Sequence, residues 1–198
     1  MRSLLPATAA GLRLLLVMTV LTGLLYPAAI WAAGRLPGLH GNAEGSLVTY
    51  DGRVVGSDLI GVDLVGDEWF HGRPSASARD VLGPGDPSVS GGSNLAGDSA
   101  ALLAAVHRRR ALIAARENAD PAAVPPDAVT ASASGLDPHI SVAYALLQVP
   151  RVARENGLTE DRVRALVAAN TTDPLATDPV VTVLRLNVAV AGAAGDGG

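Results

Sequence analysis

Leu14–Ala33 reads LLLVMTVLTGLLYPAAIWAA, twenty residues in a row without a charged side chain. At 1.5 Å rise per residue a helix of that length spans about 30 Å, the thickness of a bilayer's hydrocarbon core. Charges or prolines interrupt every later apolar run. The chain is therefore expected to cross a membrane once, near its start, with the rest in water on one side. A lone span cannot surround a pore. A self-contained channel or carrier is excluded, and any transport role must be shared with partner subunits.

The rival reading is a cleaved signal peptide. That needs an apolar core of about 7–15 residues, then small residues at alternate positions before the cut. Here the core is longer, and each plausible cut has a bulky residue or proline upstream: Tyr26/Ala28, Pro27/Ala29, Ile30/Ala32, Trp31/Ala33. Tyr26 and Trp31 instead suit the interfacial belt of a retained helix. Pro27 frees a backbone carbonyl one turn upstream, which in lipid wants a partner. Thr19, Thr22 and Gly23 offer either a close-packing face for another helix or threonines that bond back to their own helix.

Arg2 and Arg13 precede the span and Arg35 follows it, so the positive-inside bias favours a cytoplasmic N-terminus. The expected organisation is a cytoplasmic tail over residues 1–13, a transmembrane helix over 14–33, and a soluble domain over 34–198. That domain would be exported, periplasmic or extracellular. There is no cysteine, which rules out disulfides and thiolate chemistry. All 15 basic residues are arginine, and three lie in residues 1–35 with no acid. The remainder holds twelve arginines against nineteen carboxylates, a net of −7. An acidic domain argues against nucleic acid, which demands a basic footprint. With only six aromatics, its core must be aliphatic.

Beyond Leu36-Pro37-Gly38, Ser46–Tyr50 and Arg53–Val55 flank Asp51-Gly52, a strong hairpin signal. Leu59–Val65 is another β-like run. Residues 72–97, rich in Gly, Pro and Ser, read as a long loop. Asp98 caps an expected helix from about Ser99 to Asn118 with a stripe of Leu102, Leu103, Val106, Leu112 and Ile113. Arg108–Arg110 within it read as a solvated face or a site for a partner's acidic patch. Ser141 caps a helix to about Asn156 that Pro150 should kink or split and Gly157 end. Thr159 caps another, with Val163, Leu166 and Val167 inward. Val180–Leu184 resembles a buried strand. The fold class is α+β: one N-terminal transmembrane helix, then a single mixed soluble domain.

Chemistry is sparse. His40, His71, His107 and His139 match no zinc spacing and read as solvated or capping. No GxSxG elbow is present, and SxxK and the Walker lysine are impossible without lysine. Ser132, Ser134, Asp137 and His139 lie close together, more as Asx and Ser turns than as a nucleophile with its base, although a membrane-tethered serine hydrolase is the outside alternative. Ser90-Gly91-Gly92-Ser93-Asn94-Leu95 precedes a helix whose first turn could offer amides to an anion, and it faintly resembles the signature motif of ABC-type ATPases. Three loops use small polar residues densely: Phe70–Ala76, Ser90–Leu95 and Val129–Pro138. Side chains this short suit loop-on-loop packing or a partner's surface.

The chain resembles the C subunit of Kdp-type potassium-transporting P-type ATPases over nearly its whole length. The resemblance is carried by LTGLLYP at Leu21–Pro27, GSDLIG at Gly56–Gly61 and FHGRPSA at Phe70–Ala76. It continues with SGGSNL at Ser90–Leu95, VTASASGLDPHIS at Val129–Ser141, QVPRVA at Gln148–Ala153 and PVVTVLRLN at Pro179–Asn187. Val62 stands where the family usually has glutamine, and Val142 where proline often follows the serine. The resemblance implies an accessory, non-hydrolysing subunit of a high-affinity, ATP-driven potassium uptake complex, needed for assembly. Its partners would be a potassium-channel-like subunit and a P-type subunit that hydrolyses ATP, with K+ transported by the complex rather than bound by this chain. Family motif or interface positions would be Thr22, Gly23, Tyr26, Pro27, Gly72, Arg73, Pro74, Ser75, Thr130, Ser132, Ser134, Gly135 and Asp137. The family is also described as a catalytic chaperone that binds ATP and raises the hydrolysing subunit's affinity. That alternative would use Ser90, Gly91, Gly92, Ser93 and Asn94, and it conflicts with an exported domain because ATP is cytoplasmic.

Overall fold

The computed structural model describes residues 4–173 and 178–195. The chain divides between Ser46 and Leu47 into two compact units. Arg2 and the last three residues of the glycine-rich tail lie outside the described residues.

In the first unit, α1 (Leu4–Val20) runs through a π-helical turn, Leu21–Leu25, into α2 (Tyr26–Ala33), and a short α3 follows at His40–Ala43. Helix thus begins well before the apolar stretch, within the expected tail. The π turn lies immediately upstream of Pro27, whose ring nitrogen cannot donate. There the Tyr26 amide donates to the Leu21 carbonyl, five residues back. The Thr22 hydroxyl donates to the Met18 carbonyl at 2.7 Å, so this threonine bonds back to its own helix. Pro6–Ala33 is long and apolar enough to cross a bilayer, and its side chains are exposed on every side. At its far end Arg35 lies over the Trp31 ring and pairs with Glu44 at 3.0 Å.

The second unit opens with the hairpin β1 (Leu47–Tyr50) and β2 (Arg53–Ser57), antiparallel and bulged between Val48 and Thr49. Asp51 and Gly52 both have positive φ, as a type I′ turn requires. Leu59–Val65 forms no strand. It touches its neighbours through an Ser57–Ile60 bridge and through the Gly61 amide, which donates to the Leu136 carbonyl at 2.7 Å. The run is an extended crossing toward the 129–141 loop.

Residues 72–97 hold no helix or strand. Then come α4 (Ala100–Glu117), a 3₁₀ turn at Pro121–Ala123, α5 (Pro126–Val129), β3 (His139–Ser141), α6 (Val142–Glu155), α7 (Glu160–Ala169), β4 (Thr171–Thr172), β5 (Val180–Thr182) and α8 (Val183–Gly195). β5 is the middle of a three-stranded antiparallel sheet with β3 and β4 at its sides. Ser99, rather than Asp98, caps α4. The α4 stripe also differs from the sequence reading. Leu103 and Leu112 are 59% and 44% exposed, while Ile113, Ala114 and Glu117 are buried. Only the C-terminal half of α4 is deeply packed.

Ser141 and Thr159 cap α6 and α7 through the amides of Tyr144 and Arg162. Helix α6 runs unbroken past Pro150. Both Pro150 and Leu146, whose carbonyl the proline leaves without its helical donor, lie on the solvent face. After Thr182 the chain turns at once into α8, so Val183 and Leu184 are helical and not strand. The core is aliphatic, as the composition requires. Ile113, Val149, Val152, Val163, Val167, Val181, Leu186 and Val190 are buried around Phe70 and Tyr144.

Candidate functional site

The three polar loops converge. The Ser132 amide donates to the Pro74 carbonyl at 2.9 Å, joining the first loop to the third. The Gly91 amide donates to the Ser134 carbonyl at 2.7 Å, and the Ser90 hydroxyl donates to the same oxygen at 3.1 Å. Arg73 donates to the Asp137 carboxylate at 2.8 Å and reaches the Thr130 carbonyl at 3.4 Å. Glycine is required where these backbones touch. At Gly61 a Cβ would collide with the Asp137 carbonyl, and at Gly135, with φ +73°, it would lie 2.8 Å from the Gly91 carbonyl.

Within the third loop the hydroxyls build turns. The Ser132 hydroxyl accepts from the Gly135 and Asp137 amides and shares a hydrogen bond with the Ser134 hydroxyl at 3.1 Å. Ser134 in turn accepts from the Leu136 amide. His139 faces the Asp137 carboxylate at 3.3 Å, and neither serine hydroxyl bonds it among the described residues. Thr130 closes α5 by donating to Pro126. The junction encloses a hollow of about 20 Å³ bordered by Asp63, Gly72, Arg73, Ser75 and Asp137, room for about one water. In the second loop Gly92 lies against the Ala133 backbone, Asn94 takes a left-handed conformation, and Ser93 is exposed. Thr22, Gly23, Tyr26 and Pro27 belong to the first unit and sit on the π turn and the start of α2.

What holds the first loop in place is a set of residues that the sequence reading did not single out. Asn187 on α8 grips Phe70 at both ends: its Oδ1 accepts from the Phe70 amide at 2.8 Å and its Nδ2 donates to the Phe70 carbonyl at 2.9 Å. Gln148 on α6 does the same for His71, at 2.8 and 3.1 Å. Each side-chain amide replaces the strand partner that the loop lacks. His71 is buried rather than solvated, with Nδ1 3.1 Å from the Asp63 carboxylate, which also accepts from the Gly72 amide. A partial signal was available in the pattern: Gln148 and Asn187 are polar residues among apolar neighbours, Val149 and Val152 on α6 and Leu186 and Val190 on α8, but their distant partners were not readable from it.

Beneath the loop lies a buried ionic chain. Glu117 accepts from Arg116 at 2.8 Å and from Arg151 at 2.9 Å. Arg151 also donates to the carbonyls of Asp67 and Trp69 and to Gln148 Oε1. Arg116 reaches the Tyr144 hydroxyl at 3.1 Å. Burial pushes the Tyr144 hydroxyl up to about 12, although Arg116 opposes the shift.

The family model for the c chain of K+-transporting ATPases, KdpC, matches residues 8–192. The chain is 48% identical over 195 residues to the potassium-transporting ATPase KdpC subunit of Kineococcus radiotolerans, covering 97% of this chain and 96% of that one. It is 45% identical over 191 residues to the KdpC subunit of Rhodopseudomonas palustris strain CGA009 (91% and 94% covered) and 47% identical over 183 residues to that of Polaromonas naphthalenivorans (91% of each). The chain belongs to the KdpC family.

Proposed function

We propose that this chain is a non-hydrolysing accessory subunit of an ATP-driven potassium uptake complex, anchored by one span with its folded domain exported. It would hold a channel-like and an ATP-hydrolysing subunit together and affect ATP use only through them. The observation that carries this reading is the junction of the three polar loops. The hydroxyls of Ser75, Ser90, Ser132 and Ser134 and the amides of Gly91 and Ser132 are committed within and between the loops. The hollow they border is only about 20 Å³, which suits a rigid contact surface better than a substrate site. The arginine bias around the span supports the orientation.

ATP binding through Ser90–Asn94 is the competing reading. Against it, the Gly91 amide already serves Ser134 and the Leu102 amide is capped by Ser99. Co-purification after mild detergent extraction tests assembly. The chain should elute with its partner subunits, and a free monodisperse monomer from cells expressing all subunits would refute the role. A cysteine placed at Val65, 80% exposed, should react with an impermeant maleimide on intact spheroplasts. Labelling only after lysis would put the domain with ATP and return the nucleotide reading.

A further inference from the structure

The arginines of the second unit divide into two groups. Arg73, Arg116, Arg151, Arg154, Arg164 and Arg185 each pair with a carboxylate. Arg53, Arg79, Arg108, Arg109, Arg110 and Arg162 pair with none among the described residues, and three of these, Arg79, Arg108 and Arg109, line one groove of about 420 Å³ between the 72–97 loop and α4. Two serines, Ser75 and Ser93, share the lining, and Asp80 contributes its single carboxylate. Three guanidiniums against one carboxylate is an excess of positive charge in a domain that is acidic overall.

A set of surface arginines could be simple solvation, but Arg109 is not simply solvated. One terminal nitrogen donates to the Val129 carbonyl at 3.1 Å, which fixes the side chain, and its Nε is buried without a partner. Burial pulls its pKa below the ordinary arginine value. An incompletely satisfied, desolvated guanidinium binds an anion more strongly than one in water, because the local dielectric is lower. Neither Arg79 nor Arg108 has a hydrogen bond or ion pair among the described residues, so both forks are free for a ligand.

We infer that this groove is a binding site for a phosphate-class oxyanion, recognised by the guanidinium forks of Arg79, Arg108 and Arg109 with a hydroxyl from Ser93. Planar forks match phosphate oxygens two at a time. The groove has room for two phosphoryl groups or for a phosphate on a larger body. The source is a soluble polyphosphate or a lipid headgroup. The site uses side chains of α4 and the preceding loop and does not depend on the accessory role.

The test is calorimetric titration of pyrophosphate into the full chain, held in nanodiscs of zwitterionic lipid at physiological ionic strength. Saturable binding is expected, weakened roughly tenfold or more by Arg79→Gln with Arg108→Gln. A control of Arg53→Gln with Arg162→Gln, which removes the same charge outside the groove, should bind as the parent does. The unliganded unfolding midpoint verifies that the groove variant is folded. Repeating the titration in nanodiscs containing phosphatidylglycerol separates the sources. Loss of pyrophosphate binding there assigns the groove to a headgroup, and retention assigns it to a soluble oxyanion. Absence of saturable binding to the parent, or equal weakening by the two variants, overturns the site.

Discussion

Replacing Glu117 by glutamine should strongly destabilise the folded domain. The carboxylate is wholly buried, as is Arg151 at 2% exposure, and it accepts from two guanidiniums at 2.8 and 2.9 Å. It is also the last residue of α4, where the helix dipole disfavours a negative charge. Its place there depends on Arg116 and Arg151. Glutamine keeps the shape but offers one acceptor for two cations and turns an N–H₂ toward one of them. Removing one partner of a buried pair costs about 3–5 kcal/mol, a fifth or more of a typical domain's stability of about 5–15 kcal/mol. At roughly 2–4 °C per kcal/mol for a domain of this size, the unfolding midpoint should fall by about 6–20 °C.

Circular dichroism melts and urea titrations of the full chain in non-ionic detergent would measure this. A second variant sharpens the test. Arg151 holds the Asp67 and Trp69 carbonyls as well as Glu117, so Glu117→Leu with Arg151→Met should not recover the parent stability. A loss below about 1 kcal/mol for Glu117→Gln, or full recovery in the double variant, would refute the view that this ionic chain anchors the Phe70–Ser75 loop.

Gly61→Ala should lower stability by about 1–3 kcal/mol and reduce recovery with partner subunits, because its Cβ meets the Asp137 backbone carbonyl; an unchanged melt would show that the close approach is not required. Tyr144 predicts a pH effect. Its folded pKa of about 12 exceeds the usual value near 10, so its contribution is complete below about pH 10 and is lost as pH rises through the folded pKa. The difference is on the order of 3 kcal/mol. Urea midpoints should drop steeply over that interval in the parent and less in Tyr144→Phe; equal slopes would refute the assignment.

Legibility in the sequence followed the range of the interactions. The Asp51-Gly52 hairpin and the Ser141 and Thr159 caps are set by residues within four positions of one another, and each appears where the sequence places it. The apolar helix at the start is legible for the same reason. The extended crossing of Leu59–Val65 was not, because its β-like composition says nothing about whether a strand partner is available. The α4 stripe misled because helical period gives a face but not how much of its length is covered: Leu103 and Leu112 stand in solvent while Ile113 is buried. The polar wording of the three loops was visible, and so was their suitability for packing on each other. Their anchors were not, since Gln148 and Asn187 act across 77 and 117 residues.

Those anchors bear on how a loop surface could serve as the proposed contact surface. Connecting segments are normally the least stable part of a domain, because their backbone groups lack partners and their side chains bury little. Here Phe70 and His71 receive the paired hydrogen bonds of a strand from two side-chain amides, Pro74 and Ser134 accept from neighbouring loops, and Arg73 ties to Asp137. If this junction is the proposed contact surface, it would be ordered before a partner arrives, and the entropy of fixing it would fall on folding rather than on binding. A catalytic site would instead leave its polar groups free to meet a substrate. The commitment of these hydroxyls and amides to one another favours the accessory reading over hydrolysis by Ser132 or Ser134. The arginine groove adjoins this junction through Ser75, but its Arg79 and Arg108 have no hydrogen bond or ion pair among the described residues.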